Sequence, residues 1–172
     1  MKKTFIILTI ILIIFLIKVK ASSNIIPDEA IRLRVIANSN SEYDQNIKLE
    51  VKDALQLELY NLLKNTKGIE EARNILNNNI DNLSSAVKKV IEKEKYDKDF
   101  TINFGYNYFP KKEYKGITYE EGYYESLVVT LGSGEGNNWW CVLFPPLCLL
   151  EAEESDEVEY KFLIQELIEK YL

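Results

Sequence analysis

The residues best suited to chemistry in this sequence lie between Gly132 and Cys148, in the stretch GSGEGNNWWCVLFPPLC. Cys141 and Cys148 flank a pair of prolines, and two cysteines in an exported protein favour a disulfide. Such a bond would close a short loop around the prolines. The alternative is two buried, apolar thiols, because spacing alone does not show that the two sulfur atoms meet.

Three glycines in alternate positions, Gly132, Gly134 and Gly136, have spacing similar to that of a phosphate-binding loop. Such a loop leads from a strand into a helix, and the P-loop form ends in a lysine followed by serine or threonine. Here the residues that follow predict a strand, and no such pair is present. The pattern therefore predicts a hairpin loop that runs to Asn138 rather than a nucleotide site.

The composition excludes several classes of active site. The sequence holds no histidine, which removes Ser-His-Asp and Cys-His catalysis and histidine-ligated zinc. Its carboxylates are numerous, but none forms an isolated pair in an apolar setting, as acid–base chemistry by two carboxylates requires. The net charge of −6 argues against nucleic acid as a partner. We therefore predict no catalytic residue, no metal and no cofactor.

The run from Trp139 to Phe144 is short and rich in aromatic and branched residues, which predicts a strand that ends at the proline pair. Alternation along a strand would place Trp139, Cys141 and Leu143 on one face, and Trp140, Val142 and Phe144 on the other. Both faces are apolar, so either this is the central strand of the core or one face is left for a partner. The residues predicted to bind that partner are Trp139, Trp140, Cys141, Phe144, Pro145, Pro146, Leu147 and Cys148.

The segment from Asn38 to Ser41 joins a predicted strand to a predicted helix. Before it, residues 31–37 alternate, with Arg32 and Arg34 on one face and aliphatic residues on the other, as in a half-buried strand. After it, acidic and amide residues occupy the first turn of the helix, where a carboxylate complements the helix dipole. The residues predicted to form this structural cap are Asn38, Ser39, Asn40, Asp44 and Gln45.

The rest of the chain follows the order expected of an α+β domain. Apolar residues at helical spacing cover 47–63 and 69–95, and the asparagines at 77–79 favour a break in the second helix. Further predicted elements are strands at 100–108, 116–119 and 124–131 and an amphipathic helix at 158–172. This order predicts a single domain in which a largely antiparallel sheet packs against two or three helices.

The N-terminus has the pattern of a secretory signal. Two lysines precede an apolar run from Thr4 to Ile17, and small or aliphatic residues precede a cleavage point before Ser22. The signal segment would span residues 1–21 and leave one acidic domain, residues 22–172. The alternative is an uncleaved membrane anchor.

Two blocks of the sequence resemble a known protein family. The first reads RVIANSNS at residues 34–41, and the second reads LGSGEGNNWWCVLFPPLC at residues 131–148. With the signal segment and the overall length, these blocks make nearly the whole chain similar to the stage II sporulation protein R family.

The resemblance implies a signalling protein of endospore formation that has no catalytic role. Proteins of this family are made in the forespore and exported into the space between the septal membranes. There they activate a membrane-embedded aspartic protease, which cleaves the precursor of the early mother-cell sigma factor. The expected partner is therefore the extracytoplasmic part of that protease, and the membrane is contacted only through the signal segment before cleavage. The alternatives are a cell-wall hydrolase or a membrane-anchored structural protein of the same compartment.

Mass spectrometry of the exported species tests the signal segment directly. We expect a mature chain that starts at Ser22, because the charged, apolar and small-residue regions precede that position in the order that signal peptidases require. An exported species that retains residues 1–21 would contradict cleavage and favour the anchor.

Overall fold

The computed structural model describes residues 29–114 and 117–145. Within these ranges the helices are α1 (Glu42–Leu63), α2 (Ile69–Asn78) and α3 (Ile80–Lys93). The strands are β1 (Ile31–Ile36), β2 (Phe100–Phe109), β3 (Lys112–Tyr114), β4 (Ile117–Tyr119), β5 (Gly122–Leu131) and β6 (Asn138–Phe144). The predictions that lie outside the described residues are the signal segment 1–21, the helix at 158–172, and Pro146, Leu147 and Cys148.

Four of the described strands form one sheet in the order β2-β5-β1-β6. β1 runs parallel to β5 and antiparallel to β6, while β2 runs antiparallel to β5. β3 and β4 form a separate two-stranded hairpin, inserted in the chain between β2 and β5. The sheet is therefore mixed and mostly antiparallel, which confirms the predicted α+β class.

The core lies between the three helices and one face of the sheet. From β1 it takes Ile31, Leu33 and Val35, which are fully buried, while Arg32 and Arg34 lie on the opposite face as predicted. α1 contributes one apolar residue per turn, namely Ile47, Val51, Leu55, Leu59 and Leu63. This spacing turns one side of the helix towards the sheet.

The predicted break in the second helix is confirmed at Asn79. This residue separates α2 from α3, and its side-chain amide donates to the carbonyl of Ile75 at 2.8 Å. Its backbone N–H donates to Leu76 at 3.1 Å, which closes the last turn of α2. None of the helices in the two described ranges is long and apolar enough to span a membrane.

The position of β6 corrects two expectations. Among the described strands β6 lies at the edge of the sheet, so the interpretation of this run as the central strand is wrong. The glycine loop is also not a hairpin, because β1 lies between the two strands that the loop connects. Both errors have one cause: β1 inserts beside β5 in parallel, and local sequence patterns do not report such a pairing.

A bulge changes the facing of one predicted residue. The register shifts so that Ile31 pairs with Phe144 and Arg32 pairs with Val142, which leaves Leu143 as the extra residue. Phe144 therefore turns to the helix side, where it is 1% exposed in the core. The alternation predicted for Phe144 is wrong for this reason, and the structure places its ring inside the protein rather than on an outer surface.

Candidate functional site

The predicted cap and the glycine loop meet at one end of the sheet. β1 and β5 are parallel, with Ile36 beside Thr130, so both strands end at the same edge. β6 begins at that edge, since Asn138 pairs with Ile36. The segments 37–41 and 132–137 therefore lie side by side, and the structure brings together two groups of residues that the sequence analysis treated separately.

Asn38 joins the two segments through its side chain and its main chain. Its Oδ1 accepts hydrogen bonds from the backbone N–H (3.0 Å) and the hydroxyl (3.2 Å) of Ser133. Its carbonyl oxygen accepts from the N–H of Glu135 at 3.1 Å. Beside it, the N–H of Gly136 donates to the carbonyl of Ala37 at 2.9 Å. These bonds hold the loop against the cap.

All three glycines of the loop lie where a Cβ atom would meet a close neighbour. Gly132 and Gly134 adopt positive φ angles of +54° and +69°, which glycine tolerates best. A Cβ atom at Gly132 would lie 2.3 Å from Oδ1 of Asn38, and one at Gly136 would lie 2.2 Å from the carbonyl oxygen of Ser39. Gly132 and Gly136 thus allow packing against residues 38–39, whereas a Cβ at Gly134 would lie 2.5 Å from Cγ2 of Thr130.

Asp44 is the centre of the cap. It is 5% exposed, and its carboxylate accepts from the Asn38 amide (3.0 Å), the Tyr96 hydroxyl (2.8 Å) and the Ser39 hydroxyl. Its backbone N–H donates to the Oγ of Ser41 at 3.1 Å, which caps α1. The predicted capping role of this segment therefore includes a buried hydrogen-bond network that reaches Tyr96, just beyond the end of α3.

The environment of Asp44 keeps its carboxylate ionised. Burial alone would raise the pKa of Asp44, but hydrogen bonds from Ser39, Asn38 and Tyr96 outweigh burial and lower the pKa to about 2. Burial and the hydrogen bond to Asp44 raise the pKa of the Tyr96 hydroxyl. A carboxylate so fully supplied with donors is a structural acceptor rather than a general acid.

Amide side chains tie the cap to the loop at a second point. The backbone N–H of Asn137 donates to Oδ1 of Asn40 at 2.7 Å. The side-chain amide of Gln45 donates to the carbonyl of Ser39 at 2.9 Å, which braces the turn before α1. All five predicted cap residues thus take part in one continuous set of contacts.

The sequence analysis missed Lys48. This residue is 7% exposed, and its ammonium donates to Oε1 of Gln45 (2.6 Å) and to the carbonyl of Asn137 (3.4 Å). Its pKa is lowered by burial and by the charge of Lys112. A signal was present, because position 48 lies one turn from the buried positions Asp44 and Val51 on the inner side of α1.

The two tryptophans point to opposite faces of β6, as predicted. Trp139 packs against the core on the helix side, with the ammonium of Lys52 5.5 Å from its ring centroid. Trp140 lies on the other face against Phe109, with 5.2 Å between ring centroids, and the ammonium of Lys112 lies 4.7 Å from its ring. Both indoles are half-buried, so part of each ring surface stays exposed to solvent.

Arg34 anchors the face of the sheet that lies away from the helices. Its guanidinium lies over the rings of Phe109 (5.5 Å) and Trp140 (5.6 Å) and donates to the carbonyl of Tyr108 at 3.1 Å. The amide of Asn138, with its oxygen facing Arg34, accepts from Nε at 3.1 Å and from Nη2 at 2.8 Å. Burial lowers the pKa of Arg34. Asn138 thus links the glycine loop to this arginine.

Cys141 is half-buried and disulfide-bonded. Cys148 is the other cysteine of the chain and lies outside the described residues, so the loop that a bond between them would close is not described. Within residues 29–114 and 117–145, no group of three or more histidine, cysteine, aspartate or glutamate side chains could hold a metal ion. The described part of the site is built from amides, hydroxyls, cations and aromatic rings around the single buried carboxylate of Asp44.

Comparison with known proteins identifies the family. A family model described as Stage II sporulation protein R matches residues 27–154, which include both the cap and the tryptophan strand. The chain belongs to the stage II sporulation protein R family. The resemblance stated from the two sequence blocks is therefore confirmed.

A curated relative agrees with this assignment. The chain is 41% identical over 135 residues to the Stage II sporulation protein R of Bacillus subtilis (strain 168). The match covers 78% of this chain and 60% of the relative, so the chain spans about three fifths of that protein's length. No solved structure matches the chain with significant similarity.

Replacing the buried carboxylate tests the cap. We expect Asp44→Asn to lower the free energy of unfolding at pH 7 by about 1–3 kcal/mol, because an amide cannot accept from the same three donors. The folded pKa of about 2 lies below the ordinary 3.8. The stability that Asp44 contributes is therefore complete above about pH 5 and is lost as the pH falls towards 2.

Urea unfolding at pH 7 and pH 3 measures this effect. The control is Asp53→Asn, which neutralises an exposed carboxylate on the same helix. Equal stabilities of Asp44→Asn and the wild type at pH 7 would contradict the structural role of the network.

Adding one methyl group tests the contact between loop and cap. We expect Gly136→Ala to destabilise the protein by about 1–3 kcal/mol, because the new Cβ would overlap the carbonyl of Ser39. Gly68→Ala is the matched control, since a Cβ there meets nothing within 4 Å. Thermal unfolding compares the two variants, and a Gly136→Ala protein as stable as the control would show that the loop is not held as described.

Proposed function

We propose that this chain is an exported signalling protein of endospore formation. It activates a membrane-embedded aspartic protease in the mother cell, and the protease then processes the precursor of the early mother-cell sigma factor. Membership of the stage II sporulation protein R family supports the link to sporulation. The signalling role, the protease partner and the location between the septal membranes are parts of the proposal.

A binding role is supported by one observation: the charged groups of the site are already hydrogen-bonded within the protein. The Asp44 carboxylate is ionised and saturated with donors, and the Arg34 guanidinium is engaged by Tyr108 and Asn138. These groups fix the positions of β6 and its loop. Because Asp44 and Arg34 are already used for contacts within the fold, they favour a role as a ligand that binds through its surface over a role as an enzyme.

The surface that remains for a partner is centred on the edge strand. Trp139 and Trp140 are half-buried on opposite faces of β6, and tryptophan is enriched among residues that dominate binding energy. Phe144 supports this surface from inside the core. For the ligand to activate a protease, it must bind the active state more tightly than the inactive state.

A sporulating strain that lacks this chain tests the proposal. We expect an immunoblot to show uncleaved sigma-factor precursor in that strain, because no signal reaches the protease. The full chain should restore processing, whereas a form without residues 1–21 should not, since it would stay in the forespore. Normal processing in the deletion strain would overturn the proposed function.

Within the same strain, Trp140→Ala should reduce processing by about tenfold or more, the size of effect expected of a central interface residue. Tyr60→Ala is the matched control, because Tyr60 is an exposed ring that also lies near a lysine, Lys64 at 5.6 Å. Immunoblots against the chain itself would confirm equal amounts of both variants. Unchanged processing with a stable Trp140→Ala protein would remove this strand from the interface.

A further inference from the structure

We infer that the outer edge of β6 is a docking site for an extended, acidic peptide segment of the partner, which adds to the sheet beside β6. This inference rests on the proposed function, because it names the chemistry of the partner at the same strand. It goes further by specifying how the segment binds and which of its residues are read.

The edge of β6 offers backbone hydrogen bonds to such a segment. β6 spans seven residues, and among the described strands it pairs with β1 alone. An edge strand presents N–H and C=O groups that a further extended chain can bind. The residues that flank this edge, Trp139 to Cys141, are half-buried rather than covered.

The side chains around this edge carry positive charge. The ammonium of Lys52 lies over Trp139 on the helix side, and that of Lys112 lies over Trp140 on the other face. Lys52 also forms a salt bridge with the exposed carboxylate of its neighbour Asp53, with 2.6 Å between Nζ and Oδ1. A positive edge in a chain with a net charge of −6 favours an anionic ligand, because the rest of the surface repels it.

Lys48 is a third cation near this edge and, unlike Lys52, it has no counter-ion among the described residues. Its ammonium donates to an amide oxygen and a carbonyl, and it forms no salt bridge with a described carboxylate. Lys112 is close enough for its charge to lower the pKa of Lys48. A buried charge without a counter-ion is costly. A carboxylate that binds at this edge would therefore be attracted by the charges of both Lys48 and Lys112.

Strand geometry then determines which peptide fits. Successive side chains of an added strand point to opposite faces of the sheet. Two adjacent acidic residues would therefore reach Lys52 on the helix side and Lys112 on the other face. The site should bind an extended segment that contains a Glu-Glu or Asp-Glu pair, and it should bind the same segment with glutamine or asparagine at those positions more weakly.

The full-length chain and a labelled peptide test this inference. The probe is a fluorescein-labelled ten-residue peptide of alternating valine and threonine with two adjacent glutamates at its centre. Fluorescence anisotropy should detect binding that weakens as salt is raised. A peptide with two glutamines instead should bind at least about tenfold more weakly, because both ion pairs are lost.

Variants of the two lysines locate the binding site. Lys52→Gln and Lys112→Gln should each weaken binding of the acidic peptide by about fivefold, while leaving the glutamine peptide unchanged. The control is Lys88→Gln, which removes an exposed lysine on α3 far along the chain from this strand. Hydrogen exchange should show protection of β6 backbone amides when the acidic peptide binds, which side-chain contacts alone would not produce.

Several outcomes would overturn the inference. Equal affinity for the two peptides, or no effect of the lysine variants, would show that the edge does not read acidic pairs. Binding that appears only after the acidic run 151–159 of this chain is neutralised would mean that its own residues occupy the edge. Normal precursor processing by the Lys52→Gln, Lys112→Gln double variant would reject this docking mode and leave the proposed function standing.

Discussion

The buried carboxylate of Asp44 is the constraint on which the rest of the site depends. An ionised carboxylate in the interior is tolerated only when donors replace the lost water, and three side chains do so here: Asn38, Ser39 and Tyr96. They come from the turn after β1 and from the residues after α3, so the network joins the sheet to both ends of the helical layer. The side-chain NH2 group of Asn38 donates to Asp44. Its Oδ1 and its carbonyl oxygen therefore remain to accept hydrogen bonds from the glycine loop.

β1 lies between β5 and β6, so the hydrogen-bond network at its end also positions the start of β6. β1 pairs with β5 on one side and with β6 on the other, so the ends of three strands gather at one edge. The loop that crosses this edge is fixed to the cap, and it starts β6 in a defined register. The tryptophans therefore lie on a strand whose start is held by hydrogen bonds to the cap.

Positive charge is concentrated around the two tryptophans of β6. The chain is acidic overall, yet lysines and an arginine surround the two indoles and stack against aromatic rings. Cation–π contacts of this kind keep long side chains in place while leaving their charged ends available to solvent or to a ligand. Asp44 and Arg34, by contrast, are committed to hydrogen bonds within the fold.

The sequence by itself determined the local features: the alternation of β1, the apolar stripe of α1, the break at Asn79 and the family, through its two blocks. Only the tertiary structure decided that β6 lies at the edge of the described strands, that a bulge turns Phe144 inward, and that Lys48 is buried beside the loop. The physical reason is that periodicity reports which face of an element is buried, but not which element covers it. Strand order and the meeting of residues 38 and 133 depend on pairings between distant parts of the chain, which no local pattern encodes.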